Sequence, residues 1–127
     1  MRSAIIAVAV AWGITVTTPL EAGEKVGGGY MSYTGSCGQI VGAHDKQLEN
    51  PGLYTAYKYW LEGYVTATNY NLPDTVNILG NSDIISAMLW IVNHCKQNPL
   101  SQVNQAAEHL VRELYPKRHR TAKDAGR

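Results

Sequence analysis

Phenylalanine is absent from the 127-residue sequence, cysteine occurs only twice, and 17% of residues are charged. The chain is too short for a second globular domain, a TIM barrel or a doubly wound nucleotide-binding fold. No Gly-x-Ser-x-Gly elbow is present, and no Gly-Lys-Ser/Thr follows Gly27-Gly28-Gly29, so neither a hydrolase elbow nor a phosphate loop is indicated. The longest apolar run, Ala4 to Val16, falls short of the roughly 20 residues that cross a bilayer, and Pro19 stops its extension. What remains is 45% hydrophobic with a net charge of +1, the composition of one small globular domain whose aromatic packing falls to eight Tyr and three Trp.

The N-terminal run has the form of an export signal. Arg2 supplies the positive charge, the apolar stretch follows, and Pro19-Leu20-Glu21-Ala22 offers a cleavage region, so residues 1–22 are expected to be a cleaved signal peptide. Neither Cys follows that run closely enough to carry a lipid, and a periplasmic or secreted protein is expected. In an exported chain the pair Cys37 and Cys95 is most simply one disulfide, worth about 4 kcal/mol by loop-closure entropy. A metal site or a catalytic thiol is the rival reading, and no second Cys or close His completes metal-ligand spacing.

Residues 23–35 form an expected flexible Gly-rich leader, since three successive glycines lose too much backbone entropy to sit in a regular element. Helical periodicity begins at Ser36, with Cys37, Ile40, Val41, His44 and Leu48 on one stripe. Asn50-Pro51 opens a longer helix carrying Tyr54, Tyr57, Leu61, Tyr64, Val65 and Thr68. Asp83 caps a third, broadly apolar segment from Ile84 to Cys95, and Asn98-Pro99 is expected to open a fourth that runs to Pro116. Asp74 to Gly80 reads as loop. The fold class is therefore all-α: a small four-helix bundle-like domain over residues 36–116, stapled by one disulfide. Residues 117–127, with five basic residues and one acid, are expected to be a basic, solvated, disordered tail.

Catalytic candidates are few. His94 beside Cys95 would make a nucleophile pair only if Cys95 were a free thiol. His109 and Glu113, four apart on one helix, fit either a shared metal or a surface hydrogen bond, and the surface reading is preferred. The carboxylates form no close pair. The expectation is no enzyme, no catalytic residue, no metal and no cofactor. Five tyrosines and Trp60 crowd the second helix and its exit, and Tyr combines apolar area with a polar tip that suits interfaces. Tyr59, Trp60 and Tyr70 lie off or at the edge of the inner stripe and are the candidate partner-binding residues. No nucleic acid is expected, because the basic run lacks interleaved aromatics.

Cys95-Lys96-Gln97-Asn98-Pro99, preceded by Asp83 and an apolar helix and paired with an upstream Cys37, resembles the HdeA/HdeB-like periplasmic acid-stress proteins. Trp60-Leu61-x-Gly63-Tyr64 and Ala106-Ala107 before Leu110 are also similar to Tai-type immunity proteins, which neutralise cell-wall amidases. Both resemblances imply an all-α, disulfide-linked protein that is commonly dimeric. The first implies a chaperone that loosens at low pH and covers unfolded clients; the second implies one effector as partner, met by the Tyr59/Trp60 surface or the loop from Asn77 to Asp83. A structural envelope role is the third reading. The basic tail and the tyrosine-rich helix are not part of the chaperone pattern. With all nine carboxylates downstream of Ala22 neutralised, ten basic residues and four histidines give that part of the chain about +14, a repulsion that favours expansion in acid.

Overall fold

The computed structural model describes residues 35–126, which contain four α-helices and no β-strand among the described residues. The expected signal peptide, and the expected leader up to residue 34, lie outside the described residues. The helices are α1 (Cys37–Asp45), α2 (Pro51–Asn71), α3 (Ile84–Gln97) and α4 (Val103–Leu114), followed by a 3-10 turn, Tyr115–Lys117. None of them is long and apolar enough to cross a membrane.

Two of the helices, α1 and α3, start where a side chain satisfies an orphan donor of the first turn. Ser36 and Gln39 form a reciprocal capping box: Ser36 Oγ accepts from the Gln39 N–H at 3.3 Å, and Gln39 Oε1 accepts from the Ser36 N–H at 2.9 Å. Pro51 sits at the start of α2, where its missing N–H is not needed. Asp83 caps α3, its Oδ1 accepting from the Ser86 N–H at 2.7 Å. The start of α4 departs from the expectation. Asn98-Pro99 closes α3 instead: the Asn98 N–H and Nδ2 both donate to the His94 carbonyl, at 3.0 and 2.9 Å, and α4 begins four residues later, with Gln105 Oε1 accepting from the Gln102 N–H at 3.1 Å. An Asn that folds back on the preceding turn cannot also cap the next helix. Likewise α1 ends at Asp45, before Leu48, which is left exposed.

The central element is α3, which packs against α1, α2 and α4. Its Met88, Ile91 and Val92 are almost fully buried, each worth about 2 kcal/mol of transfer from water. Ile40 of α1, Leu61 of α2, and Val103 and Leu110 of α4 close the core around it. The disulfide Cys37–Cys95 is formed, tying the first residue of α1 to the last turn of α3. Beside it the Cys37 N–H donates to the Ser101 carbonyl and the Val103 N–H donates to the Gly35 carbonyl, at 2.9 and 3.1 Å. Gly35 is thus buried in the domain and is not part of a leader. Its φ of +86° and the closeness of the Tyr57 hydroxyl leave no room for a side chain.

Two segments differ from their sequence reading. The loop between α2 and α3 carries Ile78 with 0% exposure, a core residue in a stretch without periodicity. Its N–H donates to Asn69 Oδ1 at 2.7 Å, so the end of α2 holds it in place. Of the basic run, expected as a disordered tail over 117–127, Arg118, His119 and Arg120 are joined to that loop. Val76 and Asn77 donate to the His119 carbonyl at 2.9 and 3.1 Å, and the His119 N–H donates back to the Asn77 carbonyl at 2.9 Å. Arg118 Nε donates to the Asp74 carbonyl and to Thr75 Oγ1, its Nη1 donates to the Tyr115 carbonyl, and its guanidinium lies 3.8 Å over the Tyr115 ring. A cluster of cations reads as solvated by composition, but a guanidinium offers five donors, and here three of its bonds go to groups of the fold. Gly80, at φ +57°, permits the close pass of the Lys117 carbonyl.

Candidate functional site

The last turn of α3 and the middle of α4 bring three rings into one column. Trp90 and His94 are four apart on α3 and stack with centroids 5.1 Å apart and planes 10° from parallel. His109 of α4 stacks on His94 from the other side, at 5.1 Å and 29°. The position of His94 is held on its C-terminal side, by the disulfide at Cys95 and by the Asn98 bonds to its carbonyl. Partial burial holds the His94 imidazole below the ordinary histidine pKa, and the neighbouring His109 pushes it the same way. The stack is a ring contact between α3 and α4 in which the imidazole of His94 is more readily kept neutral than a free one.

Acid also acts on the other end of α3. The bonds from Ser86 hold the Asp83 carboxyl below its ordinary value, so the cap is present while Asp83 is ionised. As pH falls through that lowered value the carboxylate is neutralised and the cap weakens. Asp124 behaves alike: Thr121 Oγ1 accepts from its N–H, its Oδ2 accepts from the N–H groups of Thr121 and Arg120, and the Thr121 contacts do most to lower its pKa.

The candidate partner-binding residues separate into two groups. Tyr59 and Tyr70 are 63% and 88% exposed and share the outer face of α2. Trp60 is turned toward the core, stacked on Tyr64 at 5.5 Å and 27°, and lines a small interior space with Leu61 and Met88. Burial, and next to it Glu108 of α4, raises the Tyr64 hydroxyl pKa, so this stack leans toward α4.

His109 and Glu113 do not converge on a shared ligand: His109 stacks on His94, and Glu113 lies 3.7 Å from Lys117 Nζ. Among the described residues no three His, Cys, Asp or Glu side chains gather as a metal site. Cys95 is in the disulfide, so its pairing with His94 as a nucleophile does not arise. The His94–His109 stack was not foreseen, because it depends on the register between two helices. A hint lay in His94 falling four residues after Trp90 at the edge of the α3 stripe.

The chain matches no protein-family model, no curated protein and no solved structure.

Proposed function

We propose that this is an exported, non-enzymatic protein of acid stress, which loosens as the pH falls and covers unfolded proteins with the apolar surface it releases. The observation that carries this reading is the His94 column. A histidine whose pKa is lower in the folded than in the unfolded chain leaves stability intact above about pH 6.5 and removes it progressively as pH falls from there to the lowered value. Protonation of His94 beside His109 then works against α3–α4 packing. Loss of the Asp83 cap follows in the carboxylate range.

What such loosening would release is the apolar seam of α3 and α4, including Met88, Ile91, Ala107 and Leu110. Ile85 and Leu89, four apart on α3, are already 54% and 45% exposed, so the released surface would extend an existing patch. The high positive charge of the acid form favours expansion and keeps a loosened protein soluble. Because Cys37–Cys95 remains closed in acid, α1 stays tethered to α3 while α4 separates.

A second reading, binding and neutralising a secreted cell-wall amidase, is favoured by Tyr59 and Tyr70, two exposed aromatic anchors on one helix face. The two readings part in one experiment. Light scattering of acid-labile proteins is followed at about pH 2 to 3 and at neutral pH, with and without the oxidised protein, alongside dye binding to apolar surface. Aggregation suppressed only in acid, with dye binding gained there, supports the acid-stress function. Absence of protection contradicts it and favours the dedicated partner.

A further inference from the structure

Between the last turns of α2 and the loop that follows it lies an open groove of about 310 Å³, lined by Thr66, Asn69, Tyr70, Thr75 and Val76. This volume is near the low end of the roughly 300–1,000 Å³ that small-molecule sites span. None of the five residues is charged at neutral pH, and no charged side chain rises from the exposed positions of α2 beside them. Phosphates, nucleotides and other ions, which need a countercharge to leave water, do not suit such walls.

The polar groups of the groove are held by the fold, and each leaves one kind of bond unmade. Asn69 Oδ1 accepts from the Ile78 N–H at 2.7 Å, which fixes the amide and leaves its two Nδ2 hydrogens without an acceptor among the described residues. Thr66 Oγ1 donates its hydrogen to the Glu62 carbonyl at 2.8 Å, and Thr75 Oγ1 donates its own to the Pro73 carbonyl at 3.0 Å, so both hydroxyls offer only lone pairs to a ligand. The Tyr70 ring is almost fully exposed, and Val76 adds a half-exposed isopropyl group from the loop. A ring face beside fixed donors and acceptors matches a pyranose with equatorial hydroxyls, which has an apolar C–H face and a hydroxyl edge. An extended peptide would call for free backbone groups. Here the N–H groups of Val76 and Asn77 are taken by the His119 carbonyl and that of Ile78 by Asn69.

We infer that this groove binds a neutral glycan, one sugar ring stacked on Tyr70 and its hydroxyls bonded to Asn69 Nδ2 and to the Thr66 and Thr75 oxygens. One stacking contact and a few hydrogen bonds in a site open to water hold a short saccharide weakly, in the millimolar range. Binding takes place at neutral pH and involves neither the His94 column nor an unfolded client, so it stands whether or not the acid-stress reading does.

Nuclear magnetic resonance titration of the isotope-labelled, oxidised protein at neutral pH tests it, with cellotriose, a glucose trimer, and separately with chitotriose, its N-acetylglucosamine counterpart. With at least one of the two, the Asn69 side-chain amide and the backbone amides of Tyr70 and Val76 shift and saturate. Tyr70→Ala removes the platform and raises the dissociation constant about tenfold, the scale of one lost stacking contact. Because that side chain is exposed, the melting temperature holds. Asn69→Asp keeps the oxygen that the Ile78 N–H needs and removes both donors, so it weakens binding while the fold is kept. A purely structural role for Asn69 would leave the affinity of that variant unchanged. No saturating shift with either sugar overturns the inference, and so do shifts confined to residues outside the groove or an affinity unchanged in both variants.

Discussion

Where α1 begins and α3 ends, Cys37–Cys95 joins two fully buried positions, and backbone bonds from Cys37 to Ser101 and from Val103 to Gly35 surround it. Where α2 turns into α3, the loop carrying Ile78 has no covalent tie and is held by the hydrogen bonds of Arg118 and His119. The first junction is covalent, and reduction opens its central bond. The second is polar and depends on a segment distant in sequence. The His94 column lies on the first side, one residue from the disulfide, so the contact proposed to respond to acid adjoins the covalent tie of the domain. Under the proposed function, acid-driven separation of α4 would be kept local, because α3 keeps its covalent hold on α1.

Breaking the first junction has the largest expected effect. Cys37→Ser opens a loop spanning 58 positions and costs about 4 kcal/mol by loop-closure entropy, visible as a marked drop in melting temperature of the non-reduced protein. An unchanged melt contradicts the stapling role. At the second junction, deleting residues 117–127 removes the three backbone bonds between the loop and His119, together with the Arg118 contacts. At about 1 kcal/mol per bond this costs about 3 kcal/mol in a urea titration. A truncated protein as stable as the full chain would restore the picture of a solvated tail.

The contrast between the junctions also explains what could be read in advance. Helices α2 and α3 follow from apolar stripes three and four residues apart and from local start signals at Pro51 and Asp83. The disulfide follows from there being only two cysteines. Local pattern reaches no further. Ile78 lies in a segment without periodicity; its N–H is held by Asn69, and its neighbours Val76 and Asn77 by His119, far along the chain. Arg118 looks like one cation among several until its carbonyl partners are in place. Asn98-Pro99 carries the same signal as Asn50-Pro51, and only the fold-back of Asn98 onto His94 makes it a stop and not a start. Of the candidate contact residues, Tyr59 and Tyr70 lie on the face that helical spacing assigns them, whereas Trp60, at the edge of the stripe, turns inward onto Tyr64.

Smaller effects sharpen the comparison on the acid-sensitive side. Asp83→Ala removes the α3 cap and lowers stability at neutral pH. Because the cap acts only while the carboxylate is ionised, the deficit relative to the unsubstituted protein shrinks as pH falls through the lowered Asp83 pKa. Urea titrations at neutral pH and near pH 3 measure it, and a deficit equal at both pH values contradicts the ionised-cap account.

The central claim, that the α3–α4 contact is the acid-sensitive element, is tested most directly by the free energy of unfolding of the oxidised protein and of His94→Gln at a series of pH values from about 7.5 down to 5. The unsubstituted protein should lose stability as the pH drops below about 6.5, with the slope set by the proton that the unfolded chain takes up more readily at residue 94. His94→Gln, which keeps a planar polar side chain but no titrating ring, should show a flatter profile over the same interval. Parallel profiles for the two proteins would contradict the account and place any acid response elsewhere in the molecule.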